Sequence, residues 1–318
     1  MTFPDVLEKR PLGSTGLRVT HVGLGGAWLG RTPGGGFNDD IAIAAVHHAL
    51  QQGINLIDTS PLYGESERRI GLALKAWFAR GGRREDFVLT TKTGTRTRPK
   101  DYSGAGTRRS VEESLRLLNV DHIDVVLIHD PDELGPALAP GGALDELEKM
   151  KSEGLLRAIG LGVRQHDLHR RCIDTGRFQL SLTYRDFNLV HQTALEGVVA
   201  PAASRGMAVF NATVVIGGLL GGQDPLKVAR RADSPGESKG VYTHSDFEID
   251  RAHELWQFAC QHGINLLALN LQYCLREKRV TSSLLGVASA AELDDDLAAL
   301  RAPISEKVWE QLRSRFRL

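Results

Sequence analysis

Residues 123–162 read IDVVLIHDPDELGPALAPGGALDELEKMKSEGLLRAIGLG. The first and last seven residues are nearly continuous apolar runs, the pattern of strands buried on both faces. Between them, 142–153 carries a helical pattern closed by Gly154. Strand, helix and strand in this order make a βαβ unit, whose two strands run parallel. The alternation continues downstream with a helix at 166–175 closed by Gly176, a strand at 178–184, a helix at 191–204 closed by Gly206, and a strand at 207–211. Upstream it runs back through strands at 87–92, 54–58 and 21–25. The helices between are at 107–119, 66–80 and 39–52. Asn38 and Asp39 are the cap candidates of this last helix, and Ile41, Ala45, Val46, Ala49 and Leu50 form its apolar face.

Past residue 211 a long loop is expected through GGLLGGQDPLK and SPGESKG to about 245. A helix at 247–261 follows, then a strand at 280–286. Next is a helix at 289–300 with Ser289 as cap and Glu292 completing a capping box, and then a last helix at 304–315. Residues 264–271 fit a strand or a buried helix. A strand there would be the ninth of the series. The helix reading, continued to about 279, leaves eight strand–helix units. Eight units predict an α/β fold, a (β/α)8 or TIM barrel, as one domain over 1–318. Extra C-terminal helices follow the repeat, and a hairpin at 9–20 precedes it, turning at Ser14-Thr15-Gly16. The rival is an open doubly wound sheet, which usually carries a glycine fingerprint after its first strand. GLGGAW at 23–28 has Trp28 in place of the third glycine, and no phosphate-loop pattern occurs.

The 318 residues are 42% hydrophobic and 25% charged, an ordinary globular balance. Thirty-nine basic residues offset 39 acidic ones, so no nucleic-acid or anionic-membrane partner is expected. Cys172, Cys260 and Cys274 form neither a disulfide framework nor a metal-ligand spacing. The opening MTFPDVLEKRPLG has no apolar segment of signal-peptide type. The uncharged stretch 206–223 contains five glycines and reads as strand and loop rather than a membrane span. A cytoplasmic location is expected.

Barrels place reactive groups at the C-terminal ends of their strands. Asp58 ends the second barrel strand and Tyr63 follows it in DTSPLYG, Lys92 ends the third in TTKTG, and His129 ends the fourth in LIHDPD. Adjacent strands let these four side chains converge. A phenol is a weak acid near pH 7, and a neighbouring ammonium favours its phenolate. Asp58 would hold Lys92 charged, and His129 would hydrogen-bond a substrate oxygen. Such a set moves a proton to or from a carbonyl oxygen while hydride moves at carbon. Trp28, Tyr63, His129, Arg185, Phe187 and, in the long loop, Tyr242 are candidates to contact substrate, with Asp186 as a further polar group. The histidines at 47, 48, 166, 169, 253 and 262 show no ligand constellation, and no metal is expected.

NLIDTSPLYG, TTKTG and VLIHDPD together resemble the aldo-keto reductase superfamily, over essentially the whole chain. The resemblance implies a nicotinamide-dependent oxidoreductase with Tyr63 as proton donor or acceptor and Asp58, Lys92 and His129 as its partners. GFNDD, AIGLGV and FNATVVIGGLL resemble the sugar-dehydrogenase branch, the L-fucose, D-threo-aldose and L-galactose types. That branch implies oxidation of an aldose at C1 to the lactone. Pyridoxal 4-dehydrogenase, a general aldehyde or ketone reductase, and a cofactor-binding regulatory subunit are the alternatives the superfamily offers.

The resemblance further implies a cofactor cleft formed by Gly26, Ala27, Asp58, Gly162, Gly286 and Asp296. Many members hold the carboxamide with Ser-Asn after strand five, where this chain has Gly162-Val163, so Thr183 and Asn211 are expected to substitute. Gly218 and Leu219, in the GGLLGG loop, are expected over the pyrophosphate. NADP-binding relatives carry Lys or Arg after strand eight. LGVASAAELDDDL at 285–297 has neither, and Glu292 stands where an Arg often lies. A carboxylate there repels a 2′-phosphate and accepts hydrogen bonds from a ribose, so NAD is expected in preference to NADP. NAD is mostly oxidised in cells, so the expected direction is oxidation.

Overall fold

The computed structural model describes residues 6–30, 39–232 and 243–318. Eight parallel strands close into a barrel: β3 (Val22–Gly25), β4 (Leu56–Asp58), β5 (Val88–Thr93), β6 (Ile123–His129), β7 (Leu156–Gly162), β8 (Leu180–Tyr184), β9 (Ala208–Ala212) and β10 (Ser282–Gly286). β10 pairs with both β9 and β3, which leaves no free edge. Strand geometry sends alternate side chains to opposite faces. Ile57, Leu89, Val126, Ile128, Ile159 and Val209 point outward into the large apolar layer beneath the helices. Leu56, Val88, Val125, Leu127, Leu180, Phe210 and Leu284 point inward and fill the barrel.

The hairpin β1 (Lys9–Pro11) and β2 (Arg18–Thr20) plugs the N-terminal end of the barrel, where Leu12 and Val19 join the interior cluster. Its turn is fixed by Thr15, whose hydroxyl donates to the Leu12 carbonyl at 2.6 Å and accepts the Leu17 N–H at 3.2 Å. Gly13 has φ 52°, and a Cβ there would lie 3.0 Å from backbone atoms of Gln179, Gly206 and Ala208. Only glycine allows that approach of hairpin to barrel floor.

The helices are α1 (Asp39–Gln51), α2 (Ser66–Ala79), α3 (Gly104–Leu118), the single turn α4 (Gly135–Leu138), α5 (Ala143–Ser152) and α6 (His166–Thr175). There follow α7 (Ala200–Ser204), α8 (Pro225–Ala232), α9 (Asp246–Gln261), α10 (Leu266–Arg276), α11 (Ala290–Arg301) and α12 (Glu306–Phe316). The stretch at 264–271 is the start of α10, capped by the Asn265 side chain, which accepts the Leu267 N–H at 2.8 Å.

Some expected boundaries move. α3 begins at residue 104 rather than 107 because Ser103 caps it by accepting the Gly106 N–H. The helix expected from 191 begins as a π-helical turn at Leu195–Val199 that leads into α7, because Asn188 ties residues 190–192 into a turn. The long loop expected to 245 contains α8. Asp224 starts this helix by accepting the Leu226 N–H at 3.0 Å, and Pro225 fills a first-turn position that needs no N–H donor. No described helix is long and apolar enough to cross a membrane.

Candidate active site at the barrel mouth

The period of two that fills the barrel also builds the site. On β5, Val88, Thr90 and Lys92 share the inward face, and on β6 Val125, Leu127 and His129 do. The lower positions are apolar and the top ones ionisable. Lys92 reaches Asp58 with Nζ 2.9 Å from Oδ1 and 2.7 Å from Oδ2, and donates a third bond to the Thr59 carbonyl at 2.7 Å. Thr90 donates to Asp58 Oδ1 at 2.6 Å. Both charged side chains are almost fully buried, 1% and 4% exposed. A buried pair survives only when its remaining donors and acceptors are satisfied, as these are.

Tyr63 stands in the loop after β4. Its N–H donates to the Ser60 carbonyl, and its carbonyl accepts the Ser66 N–H that opens α2. Gly30, from the loop after β3, lies against the Tyr63 carbonyl so closely that a Cβ would sit 1.4 Å from that oxygen. Two loops therefore clamp the tyrosine backbone. The Lys92 ammonium lies 4.9 Å from the Tyr63 ring centroid, and the His129 ring stands edge-on to it at 6.0 Å and 88°.

His129 Nδ1 is 3.1 Å from the hydroxyls of both Ser60 and Thr95. Ser60 Oγ already accepts the Leu62 N–H, so its own proton is free to point at Nδ1. With Ser60 donating to Nδ1, the ring carries its proton on Nε2. Burial, then the charges of Lys92, Lys100 and Arg98, push the imidazole well below its ordinary pKa. His129 is therefore a neutral donor.

A crevice of about 710 Å³ runs from this site toward the N-terminus of α11. Trp28, Tyr63 and Asp58 line one end, and Glu292, Asp295 and Asp296 the other. The loop after β9 forms a wall through Thr213, Gly217 and Gly218. No Lys or Arg is among the described residues that line it. Burial, reinforced by Glu292 and Asp295, raises the Asp296 carboxyl to about 7. Glu292 also serves its helix: it accepts the Ala288 N–H at 2.8 Å while its own N–H donates to Ser289 Oγ. The crevice has the size and mixed lining of a cofactor site. Its glycine wall lets a ligand approach the backbone closely.

Of the residues singled out from the sequence, Gly26, Ala27, Trp28, Asp58, Tyr63, Gly218, Gly286, Glu292 and Asp296 line the crevice. Lys92 and His129 stand behind Asp58 and Tyr63. Gly162 backs His129 and accepts the Asp130 N–H at 2.8 Å.

Others lie elsewhere. Thr183 and Asn211 occupy outward positions, between inward Leu182 and Tyr184 and between inward Phe210 and Ala212. The Asn211 amide donates to the Phe187 carbonyl on the outer side of the barrel. Leu219 is buried among Leu189, Leu255 and Leu266 while its glycine neighbours face the crevice. The Arg185 guanidinium is turned to Glu248, at 2.9 and 2.8 Å, and to the Thr243 carbonyl at 2.8 Å. Phe187 is packed in the core, its ring 5.7 Å from that of Tyr273. Asp186 pairs with Arg164 and His166. Tyr242 and the Asn38 cap fall outside the described residues.

The structure adds Ser60 and Thr95 as the hydroxyls that set His129, and Thr213, Asp295, Asp130 and Tyr184 near the site. Apart from Asp295, which lies on α11, their common signal was position: each lies within a few residues of a strand end.

The Aldo/keto reductase family matches residues 21–315. The L-galactose dehydrogenase of Arabidopsis thaliana is 31% identical over 92% of this chain and 88% of that protein. The D-threo-aldose 1-dehydrogenase of a Pseudomonas species is 27% identical over 94% of each. The holo structure of a Bacillus halodurans aldo-keto reductase shares the fold at a TM-score of 0.75, with 24% identity over 97% of this chain and 96% of that one. A barrel closed by a hairpin, with Tyr63, Lys92, Asp58 and His129 gathered at its mouth, thus coincides with a match over nearly the whole sequence: the chain belongs to the aldo/keto reductase family of nicotinamide-dependent oxidoreductases.

Proposed function

We propose that this protein is an aldose 1-dehydrogenase that prefers NAD. The observation that carries the chemistry is the Lys92 ammonium, held on Asp58 at 2.7 Å and 4.9 Å from the Tyr63 ring, beside a neutral imidazole. Bound nicotinamide supplies the hydride acceptor. Every other requirement falls to this chain. The substrate oxygen on C1 accepts a hydrogen bond from His129 Nε2. Tyr63, as phenolate, takes the hydroxyl proton from that oxygen as hydride leaves C1, and the product is the lactone. The Lys92 charge stabilises the phenolate, and Asp58 holds Lys92 in place. In the reverse sense Tyr63 gives the proton back.

The sugar assignment is supported by the two sugar-dehydrogenase relatives. The NAD preference is supported by the acidic end of the crevice, where Glu292 and Asp295 would repel a 2′-phosphate. The test is the rate of reduced-nicotinamide formation over a panel of aldoses with NAD and with NADP, alongside reduction of simple aldehydes. Aldose oxidation with a kcat/KM at least about tenfold higher for NAD is expected. Aldehyde reduction with NADPH alone would overturn both the direction and the cofactor preference.

A further inference from the structure

One polar pair at the mouth is left over by the proton-transfer chemistry. Asp130 follows His129 directly, with its backbone in the left-handed region at φ 44°. That turn is tied on both sides: the Asp130 N–H donates to the Gly162 carbonyl at 2.8 Å, and Lys100 Nζ donates to the Asp130 carbonyl at 2.7 Å. The turn keeps the carboxylate beside the imidazole, with Oδ2 3.6 Å from His129 Nε2, outside hydrogen-bond range. Oδ1 accepts the Tyr184 hydroxyl at 3.1 Å. Tyr184 holds the inward position at the end of β8, and burial, then the Asp130 carboxylate, push its phenol above the ordinary value, so it stays a neutral donor. The carboxylate is 30% exposed, and Tyr184 lines a second, open cavity of about 620 Å³ with Arg164 and Asp186.

The hydrogen-bond arithmetic determines what such a wall would recognise. The Tyr184 proton is committed to Asp130, which leaves Asp130 Oδ2 and the phenolic oxygen as acceptors. Lys92 is held on Asp58, and two further cations nearby have acidic partners. Arg164 donates to Asp186 at 3.0 Å, and Lys100 pairs with Asp132 at 2.8 Å. An anionic substrate group would meet the like-charged Asp130 carboxylate there. Hydroxyl donors would be welcomed, and the acceptor sits one short step from the nitrogen that binds the reacting oxygen.

We infer that Asp130 and Tyr184 form a hydroxyl-reading subsite, which takes the hydroxyl next to the reacting carbon of a polyhydroxylated substrate and rejects anionic groups at that position. The inference rests on the aldose reading and names the residues that would select an aldose over a plain aldehyde.

The test compares Asp130→Gly and Tyr184→Phe with the wild type. Glycine suits the positive φ, so the carboxylate is removed without backbone strain. Each protein is assayed with an aldose, with the same aldose lacking the 2-hydroxyl, and with a hydroxyl-free aldehyde in the reducing direction. A hydrogen bond to a charged group predicts a loss of about 10- to 100-fold in kcat/KM for the aldose in Asp130→Gly, mostly in KM. A smaller loss is expected in Tyr184→Phe. Activity toward the hydroxyl-free aldehyde should stay within about threefold, and the deoxy sugar should lose little. Equal losses for all three substrates would overturn the inference, because Asp130 would then act through His129. Unchanged selectivity in Asp130→Gly would overturn it as well. A wild-type protein that oxidises no aldose sinks the aldose reading and this subsite together. Aldose oxidation with unchanged variant selectivity sinks the subsite alone.

Discussion

Lys92 has three hydrogen bonds and nowhere to put its charge except beside Asp58 and under the Tyr63 ring. Replacing it with methionine keeps the stem and removes the charge. It also strands Asp58, a buried carboxylate left with Thr90 alone among these side-chain partners. Loss of one partner of a buried pair costs about 3–5 kcal/mol of stability. Lys92→Met should therefore lower both turnover and the melting temperature. Lys92→Met with Asp58→Asn should regain the melting temperature in part and the turnover not at all, as thermal unfolding and initial rates would show. If the single variant keeps wild-type turnover, the ammonium has no part in the proton step. The cofactor end is tested by Asp295→Lys, which reverses one charge at an exposed position lining the crevice. The KM for NADP should fall by about tenfold while that for NAD rises. A KM for NADP that does not move would detach the acidic cluster from cofactor choice.

At the scale of elements, the strand ends carried most of the site legibly. Asp58, Lys92 and His129 are inward residues at the tops of neighbouring strands, and simple alternation placed them. The same parity, applied to β8 and β9, puts Thr183 and Asn211 on the outward face and Tyr184 and Ala212 on the inward one. The error there was to choose residues by polarity before choosing the face. Arg185 shows a different limit. Its partner Glu248 is 63 positions away, and no local pattern announces that contact. Glu248 also accepts from Ser245 and His191, so one buried carboxylate ties the loop after β8 to the start of α9. Burial works against that carboxylate's charge, yet the bonds from Arg185, Ser245 and His191 win and hold it well below the usual glutamate range. Its contribution is present at neutral pH and lost as pH falls below the unfolded value of about 4.3. Glu248→Gln should lower the melting temperature at pH 7 and narrow the gap from wild type near pH 3. A constant gap across that range would rule out the charge as the source.

For the molecule as a whole, the closed barrel makes several histidines buried and neutral. His21, beneath the barrel with neither ring nitrogen hydrogen-bonded among the described residues, is lowered to about 3 by burial and by Arg10. His169 is lowered to about 4 by burial. Unfolded, each binds a proton near pH 6.5. Between that pH and the folded values the unfolded chain holds more protons, so stability falls as pH drops from about 6.5 toward 4. His21→Leu removes one such group and its unsatisfied nitrogens, and should shrink the loss of melting temperature between pH 7 and pH 5. An unchanged loss would assign the acid sensitivity to other groups. The barrel itself was legible because eight strand–helix units leave little choice of closure. α8 was hidden because glycines and Pro225 on its approach read as loop, although Asp224-Pro225 is also a helix start.

The Tyr63 hydroxyl is the group proposed to exchange a proton with the substrate oxygen. Tyr63→Phe removes that oxygen and leaves the Lys92–Asp58 pair, the His129 hydroxyl clamp and the crevice in place. Aldose-dependent formation of reduced nicotinamide, measured beside NAD affinity by fluorescence titration, should fall by about 10²–10⁴-fold with the affinity within about threefold of wild type. Turnover at the wild-type rate in this variant would exclude Tyr63 from the proton transfer.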